Sequence, residues 1–97
     1  MKLDMNKPIL DLHGDPIKNE EQDWSMKEAI SDALLRQYDS ETLTGEAKIM
    51  RYSLALEIFN SNGTIDLKAE QIVTIKEVAC LAYAPLVYGR ICDAIDG

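Results

Sequence analysis

The chain has 97 residues, of which 46% are hydrophobic and 28% are charged, and its net charge at pH 7 is -7. This length fits one small domain, and the composition is that of a globular protein rather than a membrane span or a disordered acidic tail. The excess of acids argues against direct binding to nucleic acid or to an anionic membrane, because both need clusters of Lys and Arg. Two cysteines cannot build the disulfide framework of a small secreted domain, so we expect free thiols.

The N-terminus lacks the apolar run of a signal peptide, and the longest uncharged stretch extends only from residue 78 to residue 89. A membrane-spanning helix needs about 20 apolar residues. We therefore expect a cytoplasmic protein that does not bind a membrane.

Residues 1–23 carry turn signals rather than a helical pattern. Pro8–Leu12 predicts a short strand, the His-Gly-Asp-Pro sequence at 13–16 predicts a turn, and Ile17 begins a returning strand. The polar residues that follow predict a loop. We expect a single domain, with this β-hairpin and loop preceding a helical bundle over 24–97.

The first helix is predicted to begin at Ser25, which forms a capping-box pattern with Glu28. Apolar residues then recur at the spacing of one helical face, which Leu35 and Tyr38 widen. The members of this stripe are Met26, Ala29, Ile30, Ala33 and Leu34.

The second helix is predicted over 46–60. Tyr52 and Leu56 lie away from its main apolar stripe, so apolar residues occupy more than half of its circumference. We therefore expect this helix to be the central element of the bundle. The stripe and its extension comprise Ala47, Met50, Leu54, Ala55, Ile58 and Phe59.

The C-terminal half predicts a short extended piece at 64–67 and a third helix over 69–83. The extended piece could add a strand beside the hairpin. Pro85 ends the third helix, since proline lacks a backbone donor, and it can begin a fourth helix that continues over 86–95. The predicted fold is mainly α, with a small N-terminal β-hairpin and three to four packed helices.

The negative charge is concentrated between residues 11 and 46, a segment that contains ten acidic residues and only three basic ones. This segment either forms a solvated surface that keeps the protein soluble or docks on a basic partner. The residues of the candidate acidic docking face are Glu20, Glu21, Asp23, Glu28, Asp32 and Asp39.

The most apolar stretch of the chain, residues 78–88, is apolar on every side rather than on one stripe. A chain of this size has little interior in which to bury such a helix completely. The stretch is therefore either the core helix or a contact with a partner or with a second copy of the chain. Together with a tryptophan before the first helix, the candidate interface comprises Trp24, Leu81, Tyr83, Leu86, Val87, Tyr88 and Ile91.

Two patterns suggest metal sites only faintly. Asp11, His13 and Asp15 alternate as strand ligands would, but a turn lies within the pattern and disrupts the alternation. The segment after the second helix echoes a calcium loop, yet Ile58 and Ala69 stand where carboxylates are required. The thiols and the single histidine are far apart in sequence, and no catalytic motif is present. We expect no catalytic residue, no metal and no cofactor.

Five sequence pieces cover most of the chain and carry a resemblance. They are Pro-Ile-Leu-Asp-Leu-x-Gly-x-Pro-Ile, Ala-Ile-Ser-Asp-Ala-Leu-Leu, Gly-Glu-Ala-Lys-Ile-Met-Arg-Tyr-Ser-Leu-Ala, Leu-Lys-Ala-Glu-Gln-Ile-Val-Thr-Ile-Lys and Ala-Tyr-Ala-Pro-Leu-Val-Tyr-Gly. In these pieces the chain resembles small uncharacterised proteins of bacteriophages and prophages. The resemblance implies a phage or prophage context, a bacterial cytoplasm and a protein partner. It transfers no functional residue.

We therefore expect a non-catalytic accessory protein that acts through protein-protein interaction, either in particle assembly or on a host protein. The alternative is an acidic regulator that acts on a nucleic-acid-binding partner, by mimicry of nucleic acid or through another protein. Salt-sensitive binding to a basic partner would favour the alternative, and salt-insensitive apolar association would favour the first hypothesis.

Overall fold

The computed structural model describes residues 2–19, 22–61 and 63–96. The chain is mainly α-helical with small β elements near its N-terminus, which confirms the predicted fold class. The second, third and fourth helices begin and end within one or two residues of the predicted bounds. The first helix ends at Leu35, before Tyr38, which was predicted to lie on its apolar stripe. In chain order the elements are β1 (Lys2–Asp4), β2 (Lys18–Asn19), β3 (Gln22–Asp23), α1 (Met26–Leu35), α2 (Gly45–Phe59), β4 (Thr64–Asp66), α3 (Ala69–Ala82) and α4 (Pro85–Asp96).

The N-terminal region contains the predicted hairpin and a small sheet. The Ile17 amide donates to the Ile9 carbonyl at 2.8 Å, and Gly14 supplies the positive φ of the turn between them. The predicted extended piece after α2 is β4, and it pairs antiparallel with β1 so that Leu3 lies opposite Ile65. A second antiparallel pair joins β2 and β3. The predicted fold class with a small N-terminal β-hairpin is confirmed. The strand predicted at Pro8–Leu12, however, forms only isolated bridges, between Leu10 and Pro16 and between Pro8 and Ser25. β1 was not predicted as a strand, and β2 and β3 form where a loop was predicted.

The N-terminus of α1 is capped by the segment that precedes it. The Met26 amide donates to the Lys7 carbonyl at 2.8 Å. The Lys27 amide donates to the Met5 carbonyl at 3.0 Å. The next amide donates to the hydroxyl of Ser25 at 3.3 Å, which is one half of the predicted capping box. Three amides that lack partners within the helix are thus satisfied, and the chain before α1 is fixed against its end.

The core is built around α1, which packs against α2 on one side and α3 on another, while α4 packs against α3. One cluster of buried apolar side chains joins the N-terminal segment to all four helices. The largest fully buried members of this cluster are Met5, Ile9, Met26, Ile30, Ile58, Ile75, Val78, Ile91 and Ile95.

The prediction that the second helix is the central, most buried element is wrong. α2 packs chiefly against α1, so it buries one face through residues such as Leu54 and Ile58 and leaves the opposite face in solvent. Leu35 of α1, predicted to widen the buried stripe, is also exposed, because it lies on the solvent side of its helix. The exposed fractions are Leu35 61%, Ile49 64%, Tyr52 56%, Leu56 47% and Phe59 59%.

The connection between α1 and α2 is held by side-chain hydrogen bonds. Tyr38 lies beyond the end of α1, where its hydroxyl donates to the Ala33 carbonyl at 2.6 Å. Arg51 of α2 is almost fully buried and donates two hydrogen bonds of 2.9 Å to the Glu41 carboxylate. This pair holds the pKa of Glu41 below its usual value. The connection is thereby fixed to both helices.

Equivalent truncations on the two faces of α2 test which face stabilises the fold. Ile58→Ala removes a side chain with no exposed surface and should lower the free energy of unfolding by about 2–5 kcal/mol. Ile49→Ala, at a position 64% exposed, should change it by less than about 0.5 kcal/mol. Urea unfolding followed by circular dichroism measures both. Equal losses would show that α2 is buried on both faces.

Candidate protein-interaction site

The structure distributes the predicted interface residues over separate places instead of one surface. Ile91 is fully buried in the core, where it supports α4 from inside. Val87 is half-buried and packs on the same core. Of the apolar stretch 78–88, Val78 and Ala79 are buried, whereas the remaining residues are half-buried or exposed. The stretch is therefore part core and part surface.

Trp24 and Tyr83 pack against each other. Their ring centroids lie 5.3 Å apart at an interplanar angle of 84°, an edge-to-face contact. The Tyr83 hydroxyl donates to the Ala29 carbonyl of α1 at 2.5 Å, and the Arg36 guanidinium lies 5.4 Å from the Tyr83 ring centroid. Burial raises the pKa of Tyr83 to about 12. These contacts connect the end of α3 to α1.

The remaining predicted interface residues line two open clefts. Leu81 and Tyr88 lie in a cleft of about 570 Å³, which also contains the exposed free thiol of Cys80. Leu86 lines a different cleft beside Leu12. Ile91 is fully buried, so the seven residues do not form one exposed surface.

The predicted acidic docking face is only partly available. Asp23 forms an ion pair with Lys18, and Glu28 is half-buried in the first turn of α1, where a negative charge favours the helix. Asp32 and Asp39 are exposed. Glu20 and Glu21, the other two members, lie outside the described residues.

The Asp11, His13 and Asp15 pattern forms a turn. One Asp11 carboxylate oxygen accepts from the His13 amide at 2.8 Å and from the Asp15 amide at 3.0 Å. Arg90 of α4 donates to the Asp11 carbonyl at 2.6 Å, which fixes the turn to the helical layer. Across residues 2–19, 22–61 and 63–96, no three His, Cys, Asp or Glu side chains come together in a way that could hold a metal ion.

A groove that the sequence did not reveal as a site runs between α1 and α2. It encloses about 250 Å³, and its lining surface is apolar. Ser31 is almost fully buried there, and its hydroxyl has no hydrogen-bond partner among the described residues. We call this the α1–α2 groove and define it by Ser31, Leu35, Tyr52, Ala55, Leu56 and Phe59.

Lysines border both ends of the α1–α2 groove. At one end the Lys27 ammonium lies 6.0 Å from the centroid of the Phe59 ring. At the other end Leu35 and Tyr52 also line an adjoining cleft that contains Lys48. Neither lysine forms an ion pair with any residue in the described ranges. The groove is thus apolar along its length and positive at its ends.

The sequence did contain a signal for this groove. Ile49, Tyr52, Leu56 and Phe59 recur at i, i+3, i+7 and i+10, which places them on one face of α2. The predicted buried stripe wrongly included Met50 and Phe59, which are exposed. Tyr52 and Leu56 were counted toward a helix buried over more than half of its circumference, so the second, exposed apolar face was not predicted.

No protein-family model, curated protein or solved structure matches this chain. The helices of the described residues are too short or too polar to cross a membrane.

Replacing Tyr83 with Phe tests the connection between α3 and α1. The loss of the hydrogen bond to Ala29 should lower the free energy of unfolding at pH 7 by about 0.5–1.5 kcal/mol. Because the pKa of Tyr83 is raised to about 12 in the folded chain, its protonated form stabilises the fold fully below pH 10. This stabilisation is lost as the pH rises from 10 to 12.

Urea unfolding at several pH values should therefore show a smaller loss of stability above pH 10 for Tyr83→Phe than for the wild type. Tyr52→Phe, on the exposed face of α2, is the matched control and should unfold like the wild type. Identical pH profiles for Tyr83→Phe and the wild type would exclude the assigned role of the hydroxyl.

Proposed function

We propose that the chain is a non-catalytic accessory protein of the phage or prophage type that acts in the bacterial cytoplasm by binding another protein. Its task would be to assist particle assembly or to modulate a host protein. The α1–α2 groove carries this proposal, because contiguous apolar side chains on a protein surface mark interaction sites. The sequence resemblance supports the phage context.

The groove has the properties of a preformed binding site. Both of its walls are helices held by the core, through Ile30 and Leu34 of α1 and Leu54 and Ile58 of α2. Its exposed side chains on α2, Tyr52, Leu56 and Phe59, lie beside the buried face of this helix and are not members of the core cluster. A partner that covers them would bury apolar surface without first reorganising the fold.

The alternative function, regulation of a nucleic-acid-binding protein through the acidic face, has its own support. Asp32 and Asp39 are exposed and form no ion pair with the described residues. A basic partner bound through them would dissociate as salt is raised, since exposed charges are screened within about 8–10 Å. Binding through the groove would depend less on salt.

Site-specific photocrosslinking in cells of the source organism tests the proposed function. A photoreactive phenylalanine analogue at position 52 lies in the groove, and one at position 53 lies next to it in sequence but on the polar side of α2. We expect a discrete crosslinked product from position 52, produced when the phage or prophage is active. Adding Phe59→Ser to the protein that carries the photoreactive residue at position 52 should reduce the yield of this crosslinked product.

Position 53 is the matched control and should give little of this product. A crosslink from position 32 alone, whose yield falls when a cell lysate is irradiated in high salt, would support the acidic regulator instead. A folded protein that gives no discrete product from positions 52, 81 or 32 would exclude a protein-binding function.

A further inference from the structure

We infer that the α1–α2 groove binds an amphipathic helix of a partner protein, in which carboxylates flank the apolar side chains. This inference rests on the proposed function and specifies its partner. It depends on three features of the groove: its shape between two helices, its apolar lining, and the two lysines at its ends, which form no ion pair with the described residues.

The shape favours a helix as the occupant. Lys27, near the start of α1, lies beside Phe59 at the end of α2, so the two walls run antiparallel and enclose a straight furrow. Tyr52 and Phe59 are separated by about 10 Å along α2, at 1.5 Å per residue. Apolar side chains at i, i+3 or i+4, and i+7 of a bound helix span the same distance.

The apolar lining alone is too small to hold a partner tightly. Burying a Leu or Phe side chain completely contributes about 1.5–3 kcal/mol, and the four exposed side chains of the groove are already about half buried. The gain is therefore similar in size to the cost of association, which is at least about 4 kcal/mol. Additional contacts at the rim are needed for specific binding.

The rim supplies positive charge. Lys27 and Lys48 stand at opposite ends of the groove, about 16 Å apart as measured along α2 from Lys48 to Phe59. Three other bases form ion pairs within the described residues: Lys18 with Asp23, Arg51 with Glu41, and Lys76 with Asp96. The two groove lysines are thus free to pair with carboxylates of an incoming helix.

The same charges disfavour a second copy of this chain as the occupant. A two-fold contact through α2 sets the two copies of this helix antiparallel when the axis is perpendicular to them, and parallel when the axis runs along them. In the first case Lys48 of one copy faces Lys27 of the other, and in the second each lysine faces its own copy. Like charges would meet at both ends of the contact, which costs binding energy.

Two synthetic helical peptides test the inference on the purified full chain. Both carry leucines at i, i+3 and i+7, and they differ only in having Glu or Lys at the flanking positions. We expect the Glu-flanked peptide to bind about tenfold more tightly, since two ion pairs at a rim each contribute up to about 1 kcal/mol. In NMR spectra of the chain, the backbone amides whose chemical shifts change on adding this peptide should lie mainly in α1 and α2.

The double variant Lys27→Glu with Lys48→Glu should reverse the preference toward the Lys-flanked peptide. Lys68→Glu with Lys76→Glu changes the net charge equally at positions that do not line the groove, and it should retain the wild-type preference. Equal affinities for the two peptides, or the same preference in both double variants, would overturn the inference. So would a salt-resistant dimer in light scattering whose contact covers Tyr52 and Phe59.

The two proposals fail separately in these experiments. If position 52 crosslinks in cells but the two peptides bind equally well, the inference of an acidic helical partner is wrong and the proposed protein-binding function stands. If the chain prefers the Glu-flanked peptide but gives no crosslinked product in cells, the proposed function is wrong, and the groove still selects acidic helices in solution.

Discussion

The backbone of α1 is the constraint on which the rest of the fold depends. Its first amides donate to the carbonyls of Lys7 and Met5, so the N-terminal segment is fixed before the helix begins. Farther along, its Ala29 carbonyl accepts the Tyr83 hydroxyl and its Ala33 carbonyl accepts the Tyr38 hydroxyl. These bonds come from three separate parts of the chain, and they leave α1 at the centre of the helical layer.

The position of α1 determines which face of α2 is buried. Because α1 covers α2 on one side only, Leu54 and Ile58 enter the core and the opposite stripe stays in solvent. Arg51 reinforces this orientation, since its buried guanidinium requires the two bonds to Glu41 and cannot turn outward without losing them. The exposed apolar face is therefore a fixed consequence of the packing.

Local signals in the sequence were enough to locate the helices. Ser25 caps α1 as its side chain predicts, and Pro85 begins α4, because these effects depend only on neighbouring residues. The burial of α2 was not predictable in this way. Both of its faces are apolar, and the choice between Leu54 and Leu56 depends on how many elements surround the helix, which is a property of the tertiary structure. The pairing of β1 with β4 has the same origin, since its two strands lie far apart in the chain.

The distribution of charge explains how a chain of net charge -7 can accept an acidic partner. Repulsion from distant carboxylates is screened within about 8–10 Å at physiological salt, so only charges beside the contact affect binding strongly. The charges beside the groove include Lys27 and Lys48, at its two ends. Asp32 lies on the exposed part of α1, so a partner helix displaced from the groove toward it would meet a negative charge. The lysines attract the helix to the groove and the carboxylates disfavour its displacement, and this combination confers specificity on a surface whose apolar area alone would bind weakly.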